Sequence, residues 1–459
     1  MSDWTPPALP PGVPLYRAIA DAMAADIASG ALKPGTRLPT HRALADAVGV
    51  DLTTITRAYA DARQRGLVEA SVGRGTFVAD AARQPPPPPV ELDLSMNLPP
   101  QPPSANLAAR LARTMAGLTR RPDLSRLLNY QPNGGSEADR KAGAKWLGSR
   151  IPDLDPARVL VTGGAQSCLT ALLTLETCWA GDILSDPYAY TGFRLAAQMR
   201  GLHVTPVQTD ALGMVAPSLA LVARDTRARL VYLTPTIHNP TTLTMPLERR
   251  LEIAAVARAQ NLIIIEDDAY GMLAEPGLPP LAALAPERVW HIATLSKCLS
   301  PGLRVAYLVA PQGTDTNPIR AALRATSQMA MPLSVAAITG WIEDGTASEI
   351  LAAIRQEAVE RQAIARRLLP MGAMAAHPQG HHVWLTLPPY WTDRAFALAA
   401  KKAGATVVPG SNFAMAAEPP EKYVRVALGA APDQPALAHA LEKLAALMRH
   451  GPVSEVEVV

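Results

Sequence analysis

Hydrophobic residues near the N-terminus recur with the period of a short amphipathic helix. Leu15, Ile19, Met23 and Ile27 follow one another at intervals of four residues. This spacing places all four on one apolar stripe of a first helix, which we expect to end at Ser29-Gly30.

The next two helices are predicted from their caps and their apolar faces. Thr40 can cap a short helix that carries Leu44 and Val48 inward, and Asp51 can cap a third helix. The apolar face of the third helix holds four residues: Ile55, Ala58, Tyr59 and Ala62. Its opposite face holds three polar residues: Thr53, Thr56 and Arg57.

Two short strands follow the third helix. Residues 67–70 and 76–78 flank Gly73-Arg74-Gly75, which is a hairpin signal. Three helices and a hairpin form a winged helix-turn-helix, in which the third helix enters the major groove and the wing tip approaches phosphates. Units of this shape also serve as protein-interaction modules, so the pattern alone leaves both functions open.

A proline-rich segment separates this region from the rest of the chain. The five consecutive prolines of 85–89 have no N–H donors, so they favour a semi-rigid polyproline II spacer. We therefore expect a first domain over residues 1–80 and a linker over residues 81–92.

Buried apolar runs alternate with amphipathic helices beyond residue 93. Five runs are predicted strands: 159–161, 230–233, 262–265, 290–293 and 305–309. The segment 247–260 is a typical intervening helix. This alternation predicts a mainly parallel α/β sheet whose ligands bind at the loops that follow the strands.

Composition narrows the possible functions. The 459 residues are 48% apolar and 18% charged, with a formal net charge of +3, which excludes a disordered chain and a polybasic coat protein. Three cysteines without CxxC or Cys/His spacing predict neither a disulfide framework nor a metal site. The N-terminus lacks the pattern of a signal peptide and no stretch reads as a membrane span, so we expect a cytoplasmic protein that does not enter membranes.

The first domain resembles the DNA-binding domain of the GntR family of bacterial regulators. The resemblance rests on PLYRAIADAMAADIASGALKPGTRLPTHRALADAVGV, TTITRAYADARQRGLV and GRGTFV. It implies that five residues lie at double-stranded DNA: Arg42, Thr53, Thr54, Thr56 and Gly73. We add Arg57 and Arg74 from their exposed positions. The family usually has Ser/Thr-Arg where this chain has Asp51-Leu52, which places a carboxylate near the groove.

Chemically suggestive residues follow the predicted strands of the second region. Lys297 follows the run 290–293, Asp267 follows the run 262–265, and Arg304 lies seven residues beyond the lysine. A lysine can form a Schiff base with an aldehyde cofactor, and a carboxylate can keep a pyridine nitrogen protonated. A phosphate needs a permanent cation and N–H donors. Each residue by itself is weak evidence for such a site, but the order and spacing of the residues together are strong evidence.

This ordered set resembles the fold-type I aminotransferases, which bind pyridoxal 5′-phosphate (PLP), over residues 93–450. The motifs are YQPNGG, DPYAYTGF, IIIEDDAY, TLSKCLSPGLR and KYVRVALG. The resemblance implies a large domain over 93–340 and a smaller α+β domain over 341–459. In the smaller domain we interpret His377, His381 and His382 as loop and packing residues, and Cys298 in the large domain as a buried bystander.

The resemblance also assigns roles to single residues. Lys297 would form the internal aldimine with PLP, Asp267 would pair with the pyridine nitrogen, and Arg425 would clamp the carboxylate of an amino-acid ligand. The remaining roles are hydrogen bonds to the phenolic oxygen from Tyr270 and Asn239, stacking by Tyr190, phosphate binding by Ala165, Gln166, Thr294 and Arg304, and phosphate binding across a dimer by Tyr130. The chain departs from the family at Thr242, at Ala306 and over residues 136–140.

The two domains in this order resemble the MocR/PdxR group of transcriptional regulators. That resemblance implies a head-to-tail homodimer that binds promoter DNA and responds to an effector at Lys297, either PLP itself or an amine or amino acid forming an external aldimine. Two alternatives stay open: a working aminotransferase with a DNA-binding domain, and a PLP sensor that admits no amino acid.

Overall fold

The structure is a computed structural model that describes residues 4–7, 14–71, 75–79, 92–175, 182–415, 420 and 422–451. The chain divides into two compact units, Met1–Val90 and Glu91–Val459. Apart from residue 92, the predicted linker lies outside the described residues. Among the helices in the described ranges, none is long and apolar enough to cross a membrane.

The first unit contains three helices and a hairpin, as the apolar pattern predicts. The helices are α1 (Leu15–Ala28), α2 (His41–Val48) and α3 (Leu52–Gln64), and the strands are β1 (Val68–Ser71) and β2 (Gly75–Val78). The two strands pair antiparallel, which completes a winged helix-turn-helix. Residues from all three helices and both strands form one core.

The predicted caps and apolar faces of this unit are confirmed, with one exception. The Oγ1 of Thr40 accepts a hydrogen bond from the N–H of Ala43, and Oδ1 of Asp51 accepts one from the N–H of Thr53. Leu15, predicted on the apolar stripe of α1, is instead 48% exposed, because it is the first helical residue and projects beyond the core that α1 covers.

The second unit alternates strands and helices along most of its length. Its strands are β3 (Leu92–Asp93), β4 (Val159–Thr162), β5 (Ile183–Ser185), β6 (Val204–Pro206), β7 (Thr209–Asp210), β8 (Gly213–Met214), β9 (Leu230–Leu233), β10 (Ile263–Asp267), β11 (Val289–Thr294), β12 (Ala306–Val309), β13 (Met374–Ala376), β14 (His382–Thr386), β15 (Ala405–Thr406), β16 (Val408–Pro409) and β17 (Tyr423–Ala427). Its helices are α4 (Leu107–Leu118), α5 (Leu124–Leu127), α6 (Glu137–Leu147), α7 (Ala165–Leu172), α8 (Thr191–Met199), α9 (Ala216–Thr226), α10 (Leu247–Ala259), α11 (Leu281–Leu284), α12 (Asn317–Ser327), α13 (Pro332–Glu343), α14 (Thr346–Leu368), α15 (Asp393–Lys402) and α16 (Gln434–His450).

A seven-stranded sheet organises this unit, in the order β4-β12-β11-β10-β9-β5-β6. All neighbouring strands are parallel except β12, which runs antiparallel to β11 and β4. Successive residues point to opposite faces, so Val231 and Leu233 join one core while Leu230 and Tyr232 join the core on the other face. The predicted mainly parallel sheet, buried on both faces, is confirmed.

A smaller antiparallel sheet lies in the C-terminal part, in the order β13-β14-β17-β16. Helices α15 and α16 contribute to the apolar core beside it. The long helix α14 belongs to both cores, because Ile350 and Ile354 pack with the large sheet while Ile364 and Ala365 pack with the small one. The two parts of the second unit are therefore joined by a continuous helix.

Candidate functional site

One cavity at the carboxyl ends of the large sheet's parallel strands brings together most of the predicted site residues. It has a volume of about 490 Å³. Ten of the eleven residues assigned to cofactor and effector line it: Ala165, Gln166, Tyr190, Asn239, Asp267, Tyr270, Thr294, Lys297, Arg304 and Arg425. Most of these residues end or follow strands of the large sheet, whereas Arg425 lies within β17 of the smaller sheet.

Asp267 is the last residue of β10 and lines this cavity. Its Oδ2 accepts a hydrogen bond from the hydroxyl of Tyr232 at 2.8 Å, while its buried Oδ1 has no hydrogen-bond partner among the described residues. Burial raises the pKa of Asp267 to about 6, although the Tyr232 hydrogen bond lowers it. A buried carboxylate oxygen without a donor fits a protonated ring nitrogen, which would supply both a hydrogen bond and a compensating charge.

Lys297 lies in the loop after β11 and enters the same cavity. Its Nζ donates a hydrogen bond to the backbone oxygen of Asn97. Burial, and then the charge of Arg425, lower the pKa of Lys297 to about 8. A substantial fraction of this amine is therefore neutral near pH 8, as attack on an aldehyde requires.

The opposite end of the cavity is suited to a phosphate. Gly164 precedes α7 with a φ of 101°, and a Cβ at this position would lie 2.9 Å from Nη2 of Arg304. Arg304 donates a hydrogen bond to the backbone oxygen of Gly163 at 3.2 Å, so its guanidinium lies against the turn that opens the helix. A helix N-terminus beside an arginine supplies the N–H donors and the cation that a phosphate requires.

Tyr190 forms part of the wall between these two ends. Gly192 allows its ring to pack tightly, because a Cβ there would lie 2.4 Å from Cε1 of Tyr190 and 2.3 Å from Oε1 of Gln166. Burial is the main cause that raises the pKa of Tyr190, and the charge of Asp267 adds to it. The ring therefore lies within the electrostatic field of the carboxylate.

Arg425, on β17, is 6% exposed and faces the cavity beside Asn239. It donates to Oδ1 of Asn239 at 2.9 Å and to the backbone oxygen of Ser95 at 2.5 Å, and within the described part of the chain its Nε has no partner. Its guanidinium also lies 4.8 Å from the centre of the Phe413 ring. A buried guanidinium with an unused donor is suited to a carboxylate.

Asn97 and Tyr232 hydrogen-bond predicted site residues, but the sequence-based set contains neither of them. Asn97 donates to the hydroxyl of Tyr270 at 2.6 Å, although it lies in the N-terminal arm far from any motif. Tyr232, which bonds Asp267, is buried in the middle of β9 and stacks on Phe193 with ring centres 3.9 Å apart. A tyrosine inside the apolar run LVYL was the only local signal for it.

Other predicted residues lie outside the cavity or pack around it. Tyr130 is 78% exposed and does not line it. His381 bonds the backbone oxygen of Lys297 at 2.9 Å, and His382 lies 3.1 Å from Nδ2 of Asn97. Burial raises the pKa of the Cys298 thiol to about 12. Within the described ranges, no group of three or more His, Cys, Asp or Glu side chains is arranged to hold a metal.

The departures from the family pattern have local structural consequences. Thr242 takes the place of a glycine and adopts a φ of 67°, a left-handed conformation that is rare for a β-branched residue. Ser136 and Asp139 form a capping box at the start of α6. Ala306 is buried in β12. None of these three departures replaces a residue that lines the cavity.

In the first unit, the predicted DNA-facing side chains lie on one exposed part of α2 and α3. Arg42, Thr53, Thr56 and Arg57 are exposed, and Thr54 is half-buried. The Thr53 hydroxyl donates to Oδ1 of Asp51 at 2.7 Å, so the carboxylate is held beside the first turn of α3. Gly73 and Arg74, predicted at the wing tip, lie outside the described residues.

Comparison with protein families divides the chain in the same way. The family described as bacterial regulatory proteins, gntR family, matches residues 15–78. The family described as aminotransferase class I and II matches residues 90–444, which is more than half of the chain.

Individual relatives share both regions. An uncharacterized HTH-type transcriptional regulator, YdeF of Bacillus subtilis, is 29% identical over 422 residues that cover 90% of either chain. The vitamin B6 salvage pathway transcriptional repressor PtsJ of Salmonella typhimurium is 27% identical over 90% of this chain and 94% of its own.

Among solved structures, the α-aminoadipate aminotransferase LysN of Thermus thermophilus, complexed with N-(5′-phosphopyridoxyl)-L-leucine, aligns with a TM-score of 0.70. It is 25% identical over 85% of this chain and 98% of that one.

Proposed function

Because the chain belongs to the class I and II aminotransferase family and carries a gntR-family helix-turn-helix domain before it, we propose that it is a PLP-dependent transcriptional regulator. In this proposal the winged helix binds promoter DNA, and the cavity around Lys297 binds PLP and senses an effector. The observation that carries the proposal is that one chain has both an exposed third helix in a helix-turn-helix unit and a cavity lined by nine residues suited to this cofactor and by Arg425.

The unpaired groups of the cavity support PLP as the cofactor. PLP, when bound, supplies an aldehyde that accepts amines and a ring that withdraws electrons. Oδ1 of Asp267 would accept the N–H of the ring, and Arg304 with the N-terminus of α7 would bind the phosphate. Nζ of Lys297 would hold the aldehyde carbon, and its lowered pKa favours the neutral amine that this requires.

The effector is proposed to be PLP itself or an amine or amino acid. Arg425 supports an amino acid, because PLP has no carboxylate and therefore does not need a buried guanidinium in addition to Arg304. An effector changes DNA binding only if it binds more tightly to one arrangement of the protein than to another. We further propose a head-to-tail homodimer in which Tyr130, exposed in the single chain, reaches the phosphate of the partner's site.

The first experiment tests the cofactor in the full-length protein purified with PLP. We expect the visible absorbance band of a Schiff base conjugated to a pyridine ring, and we expect Lys297→Ala to abolish it. Lys141→Ala, which changes an exposed lysine on α6, serves as the matched control and should retain the band. A wild-type protein that binds PLP without this band, or a Lys297→Ala protein that keeps it, contradicts the assignment.

The second experiment tests DNA binding and its dependence on an effector. Footprinting on DNA upstream of the protein's own gene, with a panel of amines and amino acids, should show protection that changes with one of them. Arg42→Ala should weaken protection while leaving the absorbance band intact, whereas Arg224→Ala, on α9 of the other unit, should change neither. Loss of both properties in Arg42→Ala would indicate misfolding instead of a lost DNA contact.

A working aminotransferase is the second candidate. The specific observation in its favour is that Lys297, Asp267 and Arg425 lie together in the cavity. Sustained conversion of an amino acid and a keto acid by the purified protein, absent in Lys297→Ala, would support this alternative. A single turnover without further conversion would favour the regulator.

A further inference from the structure

A second cavity lies on the other side of the loop that carries Tyr190. It has a volume of about 350 Å³ and is lined by residues of β7, β9, β14, β17 and the loops around positions 186–188 and 235–243. Thr234 lines both cavities, so the two are neighbours without sharing their other walls. None of the residues assigned above to PLP or to the effector lines this second cavity.

Three aromatic rings form one wall of it. The rings of Trp384 and Tyr423 stack with centres 5.2 Å apart at an angle of 18°. Tyr188 packs with its edge toward both rings, at 5.5 Å from Trp384 and 5.9 Å from Tyr423. Lys422, which does not line the cavity, places its Nζ 5.3 Å from the centre of the Tyr423 ring.

A carboxylate without a cationic partner among the described residues lines the same cavity as the aromatic wall. The side chain of Asp186 is 13% exposed, and its nearest ionisable partner is Nε2 of His238, at 3.5 Å. Burial lowers the pKa of His238 to about 4, so the imidazole is neutral at pH 7. The other carboxylate of the cavity, Asp210, is already paired with Arg249 at 2.9 Å.

The ligand that fits this combination is a small organic cation. Among the described residues that line the cavity, none is Lys or Arg, so the protein itself does not neutralise Asp186 there. Aromatic faces and one carboxylate together attract an ammonium group, through cation–π and Coulomb interactions. We propose that this cavity is a binding site for a small organic ammonium ion, held by Asp186 against Tyr188, Trp384 and Tyr423.

The position of this site connects it to the proposed effector site. Trp384 is directly opposite Arg425 in the β14–β17 ladder, and Tyr188 is two residues from Tyr190. His238 immediately precedes Asn239, which bonds Arg425. A cation in the second cavity would therefore contact elements that also form the first one.

The test uses tetramethylammonium, which has no N–H and cannot react with an aldehyde. Isothermal titration of the full-length protein at pH 8 should show saturable binding that is the same with and without PLP and is retained in Lys297→Ala. The neutral molecule tert-butanol, of similar shape, should not bind. This design separates the second site from any chemistry at Lys297, so its failure leaves the proposed function standing.

Matched variants identify the groups responsible. Asp186→Asn and Trp384→Leu should each weaken tetramethylammonium binding about tenfold or more. Asp210→Asn, which changes the paired carboxylate of the same cavity, should weaken it less than Asp186→Asn. The proposal is overturned if the wild type shows no saturable binding, or if Asp186→Asn binds as tightly as the wild type.

A measurement on the wild-type protein tests the same site without depending on the folding of any variant. Burial raises the pKa of Asp186 to about 7, and a bound cation would lower it, so binding at pH 7 should release protons. The other titratable groups that face it are His238, Asp210, Tyr188 and Tyr423. Titrations in two buffers of different ionisation enthalpy measure this release, and binding without proton release at pH 7 also overturns the proposal.

Discussion

The hydrogen bond between Tyr232 and Asp267 provides a sharp test of the electrostatics of the cofactor cavity. Tyr232→Phe removes the one donor to Oδ2 of Asp267 and leaves the stacking on Phe193 in place. A hydrogen bond to a charged acceptor contributes about 1.5–3 kcal/mol, whereas a bond between neutral groups contributes about 0.5–1.5 kcal/mol. The loss of stability should therefore depend on whether Asp267 is ionised.

The pKa of Asp267 fixes the pH values at which to compare the two proteins. This pKa is raised from its ordinary value of 3.8 to about 6 in the folded protein, so the folded state binds the proton more tightly than the unfolded state. Stability attributable to this group is therefore lost as the pH rises from about 4 to about 6. At pH 8 the carboxylate is ionised, and at pH 5 it is mostly protonated.

We expect Tyr232→Phe to destabilise the protein by about 1 kcal/mol more at pH 8 than at pH 5, which corresponds to a further rise of about one unit in the pKa of Asp267. Urea unfolding of the PLP-free protein, followed by tryptophan fluorescence, measures this difference. Six of the seven tryptophans belong to the second unit, so the signal reports on it.

A double-mutant cycle with Asp267→Asn provides the control. In the Asp267→Asn background, Tyr232→Phe should have the same small effect at both pH values, because no titrating carboxylate remains. Equal destabilisation by Tyr232→Phe at pH 5 and pH 8 in the wild-type background would refute the reasoning, since it would mean that the contribution of this hydrogen bond does not depend on the ionisation of Asp267.

Three further predictions concern other parts of the chain. Gly164→Ala should weaken PLP binding about tenfold or more, because a side chain at φ 101° is strained and would contact Arg304. Gly163→Ala should not weaken it, since its Cβ would meet only Cβ of Ser167 at 4.0 Å, and equal PLP titrations of the two variants would contradict this prediction. Asp51→Asn should strengthen DNA binding in a filter or gel assay, because it removes a negative charge but keeps an oxygen that can cap α3. Unchanged or weaker binding would show that the carboxylate does not face phosphates. Ser136→Ala should lower the free energy of unfolding of the second unit by about 1 kcal/mol in urea, whereas Ser136→Thr, which retains the capping hydroxyl, should lower it less. Equal losses in the two variants would show that the hydroxyl cap contributes nothing.

Much of the architecture follows from local sequence, because short-range rules govern it. The period of apolar residues predicts α1 and α3, since a helix repeats its faces every 3.6 residues. Continuous apolar runs predict five of the seven strands of the large sheet, but not the short strands β5 and β6. Thr40 and Asp51 predict their helix starts because the cap is a bond within three residues. The order of Asp267, Lys297 and Arg304 along the chain is enough to predict a common cavity, since Asp267 ends β10 and the other two lie in the loop that follows the neighbouring strand β11.

The tertiary structure decided what depends on residues distant in sequence. Asn97 reaches Tyr270 and Lys297 across 173 and 200 positions, and no local pattern encodes such contacts. The raised pKa of Asp267 and the lowered pKa of Lys297 both arise mainly from burial, which exists only once several segments have enclosed the cavity. The cavity lined by Asp186, Tyr188, Trp384 and Tyr423 likewise appears only in three dimensions, because β9, β14 and β17 meet there from separate parts of the chain.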